Sequence, residues 1–524
     1  MSEYAILKGR IGKASADRLV TFGLIAPPDA NAERLDLFAS LIVEHPPAPA
    51  QTRSPSRQAQ LGQFMTPVGI AHFMAGLFDG PLSGTARLLD AGAGKGALTL
   101  AFIAQWQKRN PNTQLETHAY EIDAAMLAEL RASLAAQNHS GTIQATIIDG
   151  DFIEQAAAMI RLKRGPRFTH AILNPPYKKI GSATAHRSLL RVSGLETVNL
   201  YSGFVGLAVE LMENGGNVVA IIPRSFCNGP YYQPFRRFVL DRATIRHIHL
   251  FDARNAAFKS DGVLQENIII HLERGGQQGC VKISTSSDDT FSDYLERCQP
   301  FENIVAPNDP NWFIHIPTGS GTAQLASGNI RYQLADIGLS VSTGPVVDFR
   351  LRNELRSDAE PGTVPLLYPG HFGGDGLVWP RPGFKKANAI RHNRDTAKWL
   401  FPAGFYAVTR RFSSKEEKRR IVANVVDPAM LKASMIGFEN HLNVIHENRR
   451  PLPEDIARGI AAYLNSTIVD QHFRQFNGHT QVNAMDLKKM LYPSREALAS
   501  LGVWAKSERR ATQEAIDARV QGIA

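Results

Sequence analysis

The stretch "HAILNPPYKK" (170–179) ends an apolar, β-branched run with an amide, two prolines and a phenol. Proline has no backbone N–H and a fixed φ, so a strand stops there. The side-chain oxygen of Asn174 and the carbonyl of Pro175 then have no partner within the strand. Both can accept hydrogen bonds from one planar amino group. Pro176 stiffens the turn, and Tyr177 can lie flat against an aromatic base. Accepting both hydrogens moves the nitrogen towards pyramidal geometry and exposes its lone pair, as a weakly nucleophilic exocyclic amine requires to attack a sulfonium methyl.

Three further constellations precede this one. In "LLDAGAGKGALTL" (88–100) a strand ends at Asp90 and Ala91, and Gly92, Gly94 and Gly96 lead into an apolar helix. Glycines at such a corner let the backbone approach a ligand closely. No GxxxxGK[ST] is present, so this is not a phosphate-binding P-loop. By itself the turn fits a dinucleotide site or a corner with no ligand equally well. The next strand, "LETHAYEID", ends in Glu121 and Asp123, and an acid there can accept from both hydroxyls of a ribose. "IIDGDFIE" then offers Asp151 to an adenine amino group and Phe152 to the face of the ring. Acids closing three successive strands, with the glycines at the first, favour a nucleoside cofactor, because ligands of open α/β sheets sit at the carboxyl ends of the strands.

Placing these residues requires a sheet. Candidate strands fall at 86–90, 115–122, 145–150, 169–173, 217–223, 245–251 and 267–273, with helical stretches such as "ALTLAFIAQWQKR" and "YSGFVGLAVELMENG" between them. This alternation predicts βαβ units around a mostly parallel sheet. Residues 1–60 read as an N-terminal extension and linker, 61–300 as a catalytic domain, 301–330 as a second linker, and 331–524 as a mixed α/β domain.

A hydrophobic fraction of 44% and a charged fraction of 20% are those of an ordinary soluble protein. No run of about 18 apolar residues occurs, which predicts no membrane span, and the N-terminus lacks the pattern of a secretory signal. Cys227, Cys280 and Cys298 are widely spaced and form no CxxC pair, which points to a reducing, cytoplasmic setting and against structural zinc. The net charge of +9 is concentrated: residues 371–450 hold 15 Lys and Arg against 7 Asp and Glu. Aromatics are interleaved there, the footprint of a nucleic-acid surface.

On these residues the chain resembles the adenine-specific DNA methyltransferases of type II restriction–modification systems, in the group whose target-recognition region is C-terminal. "DAGAGKG", "YEID", "GDF" and "NPPY" follow in that group's order, after "QFMTPVGIAHFM" (63–74), which is similar to its cofactor-capping motif. The resemblance covers residues 61 to about 275 and extends to 464–493. It implies an α/β, Rossmann-like S-adenosylmethionine-dependent domain with a seven-stranded sheet, followed by a DNA-recognition domain. It further implies that Asn174, Pro175, Pro176 and Tyr177 hold a flipped adenine. Asp90, Ala91, Gly92, Gly94, Glu121, Asp151 and Phe152 would bind S-adenosylmethionine, with Phe64, Thr66 and Pro67 closing over its methionine end. Phe258 is the candidate for a second aromatic on the base. Arg410, Arg411, Arg419 and Arg420 are candidates for DNA contact, and no metal is called for.

The implied partners are double-stranded DNA and a cognate restriction endonuclease acting on the same sites, the protein itself being a monomer. Glutamine methyltransferases of release factors share NPPY but lack a long basic C-terminal region. A DNA-binding module without catalysis is disfavoured by the intact Asn174, Pro175 and Tyr177. A fused nuclease finds no PD…(D/E)xK arrangement in residues 1–60.

Overall fold

The computed structural model describes residues 65–78, 84–135, 137, 141–251, 266–307, 309–317, 329–373, 376–413, 417–476, 481–508 and 511–523. The chain forms two compact units, 1–318 and 319–524.

The first unit is built on β1 (Ala86–Ala91), β2 (Leu115–Glu121), β3 (Ile143–Asp149), β4 (Phe168–Leu173), β5 (Met212–Pro223), β6 (Ala243–Phe251), β7 (Asn267–Arg274), β8 (Val281–Ser286) and β9 (Leu295–Gln299). Their order in the sheet is β3-β2-β1-β4-β5-β7-β6-β8-β9. Strands β1 to β5 pair in parallel, and β7 enters antiparallel between β5 and β6. All seven strands foreseen in the sequence are present, and β8 and β9 lengthen the sheet beyond them. Both were inconspicuous: β9, "LERCQ", is mostly exposed, so it lacks the apolar signature of a buried strand. Its pairing with β8 brings Cys280 and Cys298, 18 residues apart, into a disulfide, a proximity that the spacing of the cysteines conceals. Cys227 is a free, buried thiol.

Helices cover both faces, as a parallel sheet requires. On one side lie α1 (Val68–Gly76), α2 (Ala97–Arg109) and α3 (Ala124–Ala135), packed through Ile70, Met74, Phe102 and Leu130. On the other lie α4 (Phe152–Leu162), α5 (Ala185–Val192), α6 (Leu200–Leu211) and α7 (Gln233–Leu240). Strand β4 is buried along its full length, so the loop that follows it is carried on a strand enclosed by the core. Among the described residues no helix is long and apolar enough to cross a membrane.

The second unit contains a four-stranded antiparallel sheet (residues 340–343, 406–410, 423–426 and 442–446), a five-stranded mixed sheet and a C-terminal helical layer. Helices Glu454–Leu464 and Arg495–Ser507 approach closely because Gly459 faces Leu498 and Gly502 faces Asp455. A Cβ at either glycine would fall within 2 Å of a backbone oxygen.

Several histidines are enclosed in the first sheet. His170 bonds Thr169 at 2.8 Å, His249 lies between Ser284 and Ser286, and His271 bonds Asn217 at 2.8 Å. Burial pushes the imidazole of His170 down to about 4 and those of His249 and His271 to about 3; His247 adds to both of the last two, Asp293 opposes at His249, and Arg246 and Lys282 add at His271. All three are therefore neutral in the fold, whereas in the unfolded chain each titrates near the ordinary value of about 6.5. As pH falls below about 6.5 the unfolded chain takes up protons that the fold refuses, and stability declines towards pH 4. The expected loss is up to ~1.4 kcal/mol per group for each pH unit. Urea midpoints measured from pH 7.5 to 4.5 test this, and a flat acid limb would contradict it.

Candidate active site

The carboxyl ends of β1 to β4 converge on one region. After Ala91 the backbone passes through Gly92 (φ 80°), Gly94 (φ 57°) and Gly96 (φ 90°), a left-handed path that side chains with a Cβ rarely follow. The turn is held by Glu121. One oxygen of its carboxylate accepts from the N–H of Gly94 at 2.8 Å. The other accepts from Ile122 and Asp123 at 2.8 and 2.7 Å. Expected as a ribose acceptor, Glu121 is 3% exposed and serves here as the clamp that shapes the glycine turn. A Cβ at Gly94 would point into open space, whereas one at Gly92 would lie 3.7 Å from Phe204 and 3.9 Å from Pro176. The glycine turn and the Asn174–Tyr177 loop are therefore neighbours, separated by about the space of one small side chain.

Asp90 is 1% exposed. Its Oδ2 accepts from Thr99 Oγ1 at 2.6 Å, while Oδ1 is buried without a partner. Burial pushes its carboxyl up to about 7, the charge of Glu121 adds to this, and the bonds from Thr99 oppose it. Asp151 caps α4 by accepting from Glu154 N–H at 3.1 Å and lies 2.8 Å from His186 Nε2. Phe152 departs from expectation. Its ring is 2% exposed and packs edge-on against Tyr120 and at a tilt to Phe204, with centroids 5.2 and 5.1 Å apart, so it offers no free face.

In the NPPY loop, Asn174 Nδ2 donates to Thr66 Oγ1 at 2.9 Å. With the nitrogen so placed, the amide oxygen is the acceptor turned to the remaining side. The hydroxyl of Tyr177 lies 3.2 Å from that oxygen and 3.0 Å from the carbonyl of Ile221 on β5. A phenol has one proton, and Ile221 is its nearer acceptor. Thr66 and Pro67 stand at the start of α1, which brings that segment onto the NPPY loop. Phe64 and Phe258 lie outside the described residues.

S-adenosylmethionine fits these residues on two observations. The unpartnered Asp90 oxygen suits a ligand that brings a donor or a cation, and the open side of Gly94 admits a close approach. Two residues that gave no signal in the sequence lie near the same strand ends. Both amide atoms of Asn228, and both of Asn267, are buried with no partner. Asn267 pairs with Pro223, two residues beyond Ile221. Each orphaned amide costs ~1–3 kcal/mol, a cost often found at working sites rather than in cores.

In the second unit the four arginines expected to meet DNA divide. Arg420 is 1% exposed. Its backbone N–H donates to Asp470 and its Nε to Ser413, and its guanidinium lies over Phe473. It is a core residue, which corrects its assignment as a DNA contact. Arg411 donates to the Asn440 carbonyl and Gln481, Arg419 to Thr467, and Arg410 pairs with Glu417 at 2.8 Å. Exposed cations lie instead at Arg391, Arg394 and Lys398, the last over the Trp399 ring. Beside them a cavity of 310 Å³ is lined by Phe349, Arg350, Arg352 and Trp399 among others.

The Eco57I restriction-modification methylase family matches residues 83–258. Type II methyltransferase M.BsuBI of Bacillus subtilis is 50% identical over 474 residues, 89% of this chain and 94% of that protein. Type II methyltransferase M.PstI of Providencia stuartii is 42% identical over 455 residues, 85% of this chain and 89% of that one. Among solved structures, the type IIL restriction-modification enzyme MmeI in complex with DNA matches with a TM-score of 0.51 at 12% identity, over 89% of this chain and 72% of that chain. This last is a likeness of fold.

Asp90 carries a testable signature that needs no ligand. Its folded carboxyl titrates well above that of the unfolded chain, so the stability it contributes is present at low pH and is lost as pH rises through about 7. Asp90→Asn is expected to stabilise the protein by ~1–4 kcal/mol at pH 8, with the gain shrinking towards pH 5. The histidines titrate alike in both proteins, so the difference in melting temperature between variant and wild type isolates Asp90. An equal effect at both pH values would exclude a buried ionisation there.

Proposed function

The chain belongs to the type II methyltransferases of restriction–modification systems, and from that premise we propose that it methylates the exocyclic amino group of an adenine in a short duplex DNA target, using S-adenosylmethionine. The modified sites would be protected from a cognate restriction endonuclease. The observation that carries this reading is the orientation of Asn174: Thr66 takes its nitrogen, so its oxygen faces the loop as an acceptor.

An amino group inside a duplex is out of reach, so the target nucleotide must rotate out of the stack, at a cost of a few kcal/mol. Asn174 Oδ1 and the Pro175 carbonyl would then accept the two hydrogens of the amine. Tyr177, anchored to β5 through Ile221 and packed edge-on to Tyr201 at 6.1 Å, would lie against the base. S-adenosylmethionine supplies a methyl group on a sulfonium, already a good leaving group. What the chain contributes is orientation and hydrogen bonding. Asp90, the turn at Gly92 and Gly94, and Asp151 would hold the cofactor, with Thr66 and Pro67 covering it. The displaced proton passes to water.

Duplex DNA would be bound by the second unit. Phosphate contact is assigned to exposed cations such as Arg391, Arg394 and Lys398, and to Arg410 and Arg411 where their pairs open.

Two experiments test this. Labelled methyl transfer to unmethylated DNA, followed by nucleoside analysis, should yield N(6)-methyladenine in one short sequence. Asn174→Ala should lower the rate at least about a hundredfold, the scale of losing one oriented polar group at a reacting centre, with cofactor affinity nearly unchanged. Retained activity would remove Asn174 from the chemistry. In DNA binding, replacing Arg391, Arg394 and Lys398 with Ala should reduce the slope of log K against log salt by roughly 0.9 per lost phosphate contact. Arg420→Ala should instead destabilise the second unit by ~2–5 kcal/mol, as truncating a large buried side chain does. An unchanged slope in the triple variant would take that segment out of the interface.

A further inference from the structure

Asp151 is met by a side chain from the segment that follows the catalytic loop. His186 lies on α5, the first helix after Tyr177, and its Nε2 is 2.8 Å from Asp151 Oδ2. Helix α5 is fixed. Thr184 caps its start, Leu189 and Leu190 are buried, and Glu196 takes both Arg187 and Arg191. The His186 and Asp151 side chains remain 33% and 20% exposed, so the pair is not sealed into the core.

A carboxylate offers about four lone-pair sites. Glu154 N–H and His186 occupy two, on different oxygens, which leaves capacity for a further donor and fixes the plane in which it is offered. We propose that His186 is a positioning residue for the cofactor, orienting Asp151 towards the adenine amino group and coupling the adenine pocket to the loop that holds the target base. This rests on the reading of Asp151 as the acceptor for that amino group.

The coupling is sensitive to protonation. The charged groups facing His186 are Asp151, Glu154 on α4, and Lys178 in the loop after β4. The hydrogen bond to Asp151 raises its imidazole above the ordinary value against the effect of burial, the charges of Asp151 and Glu154 add, and Lys178 opposes. Burial alone would raise the Asp151 carboxyl, but the bond and charge of His186 and the amides of α4 hold it below the ordinary range. The imidazolium always presents an N–H at Nε2. A neutral ring has a single N–H, and the tautomer protonated at Nδ1 would turn a lone pair on the carboxylate. Deprotonation removes the charge from this bond and opens the tautomer that no longer donates, and both weaken the hold on Asp151.

The test is binding of S-adenosylhomocysteine, which cannot react, to the full chain by calorimetry between pH 6 and 9. His186→Ala should weaken binding about tenfold at pH 6.5, equivalent to ~1.4 kcal/mol. His186→Gln, whose amide can donate from the same position, should restore most of that loss. Asp90 also titrates in this range, so the informative quantity is the ratio of wild-type to His186→Gln affinity, in which Asp90 cancels. That ratio should fall as pH rises. S-inosylhomocysteine, which lacks the amino group, should bind wild type and His186→Ala alike.

Wild-type affinity in His186→Ala would overturn the proposal. So would equal weakness of the Ala and Gln variants with a ratio independent of pH, the mark of a merely structural role. Asp151→Ala separates the two levels: if it binds like wild type, the reading of Asp151 fails and the proposal falls with it. If Asp151→Ala is weak while His186→Ala is not, only the role of His186 fails.

Discussion

Three backbone amides from two separate segments meet on the carboxylate of Glu121. Charge-assisted bonds to backbone N–H groups are stronger than neutral ones, and three of them offset the desolvation of an almost fully buried acid. They also fix geometry. Gly94 must present its N–H to the end of β2, which the backbone achieves only by turning through positive φ at Gly92, Gly94 and Gly96. The turn is held to β2 as well, through Gly92 and Ala93 bonded to the Tyr120 carbonyl. Removing the clamp would leave three amides unpaired and the glycines free to follow any of several paths.

From that turn the rest of the site follows by contact. Pro176 and Phe204 stand at ordinary van der Waals distance from where a Cβ of Gly92 would be, and it is the positive φ there that calls for glycine. The neighbouring loop is held by a polar network in which Asn174 donates to Thr66 and Tyr177 donates to the Ile221 carbonyl. That network joins the start of α1, the end of β4 and the carboxyl end of β5. Partly buried polar chains of this kind specify orientation more than they add stability, and orientation is what an uncharged amide needs in order to discriminate a donor from an acceptor.

What the sequence disclosed and what it hid follow from how far each feature depends on distant contacts. Strands β1 to β7 were legible because each carries a dense apolar run between turn residues, and the site residues because strand ends are local events. Glu121 was legible as an acid at a strand end, but its engagement depends on where the Gly94 amide arrives from β1. Phe152 reads as an aromatic beside a carboxylate, and only the packing of Tyr120 and Phe204 shows which way it turns. His186 lies 35 residues from Asp151 and has no motif to announce it. Strand β9 lacked the pattern because an edge strand is half solvated, and β8, an interior strand, because the Lys, Ser and Thr of "VKISTS" break its apolar run.

The second unit shows why charge counts are a coarse guide to binding surfaces. The run "RRFSSKEEKRR" (410–420) holds six Lys and Arg in eleven residues, yet Arg420 serves its own fold, and Arg410, Arg411 and Arg419 have protein partners. A guanidinium can order several chain segments at once through its fork of donors, and a sheet-and-loop unit with irregular connections makes heavy use of that. The residues 389–399 are less dense in charge, but Arg391, Arg394 and Lys398 extend into solvent, and the segment around them is anchored by the buried hydroxyl of Thr396, bonded to the Arg391 carbonyl at 2.6 Å. For reading a polyanion, a rigid segment that presents free cations is worth more than a larger number already committed to neighbours.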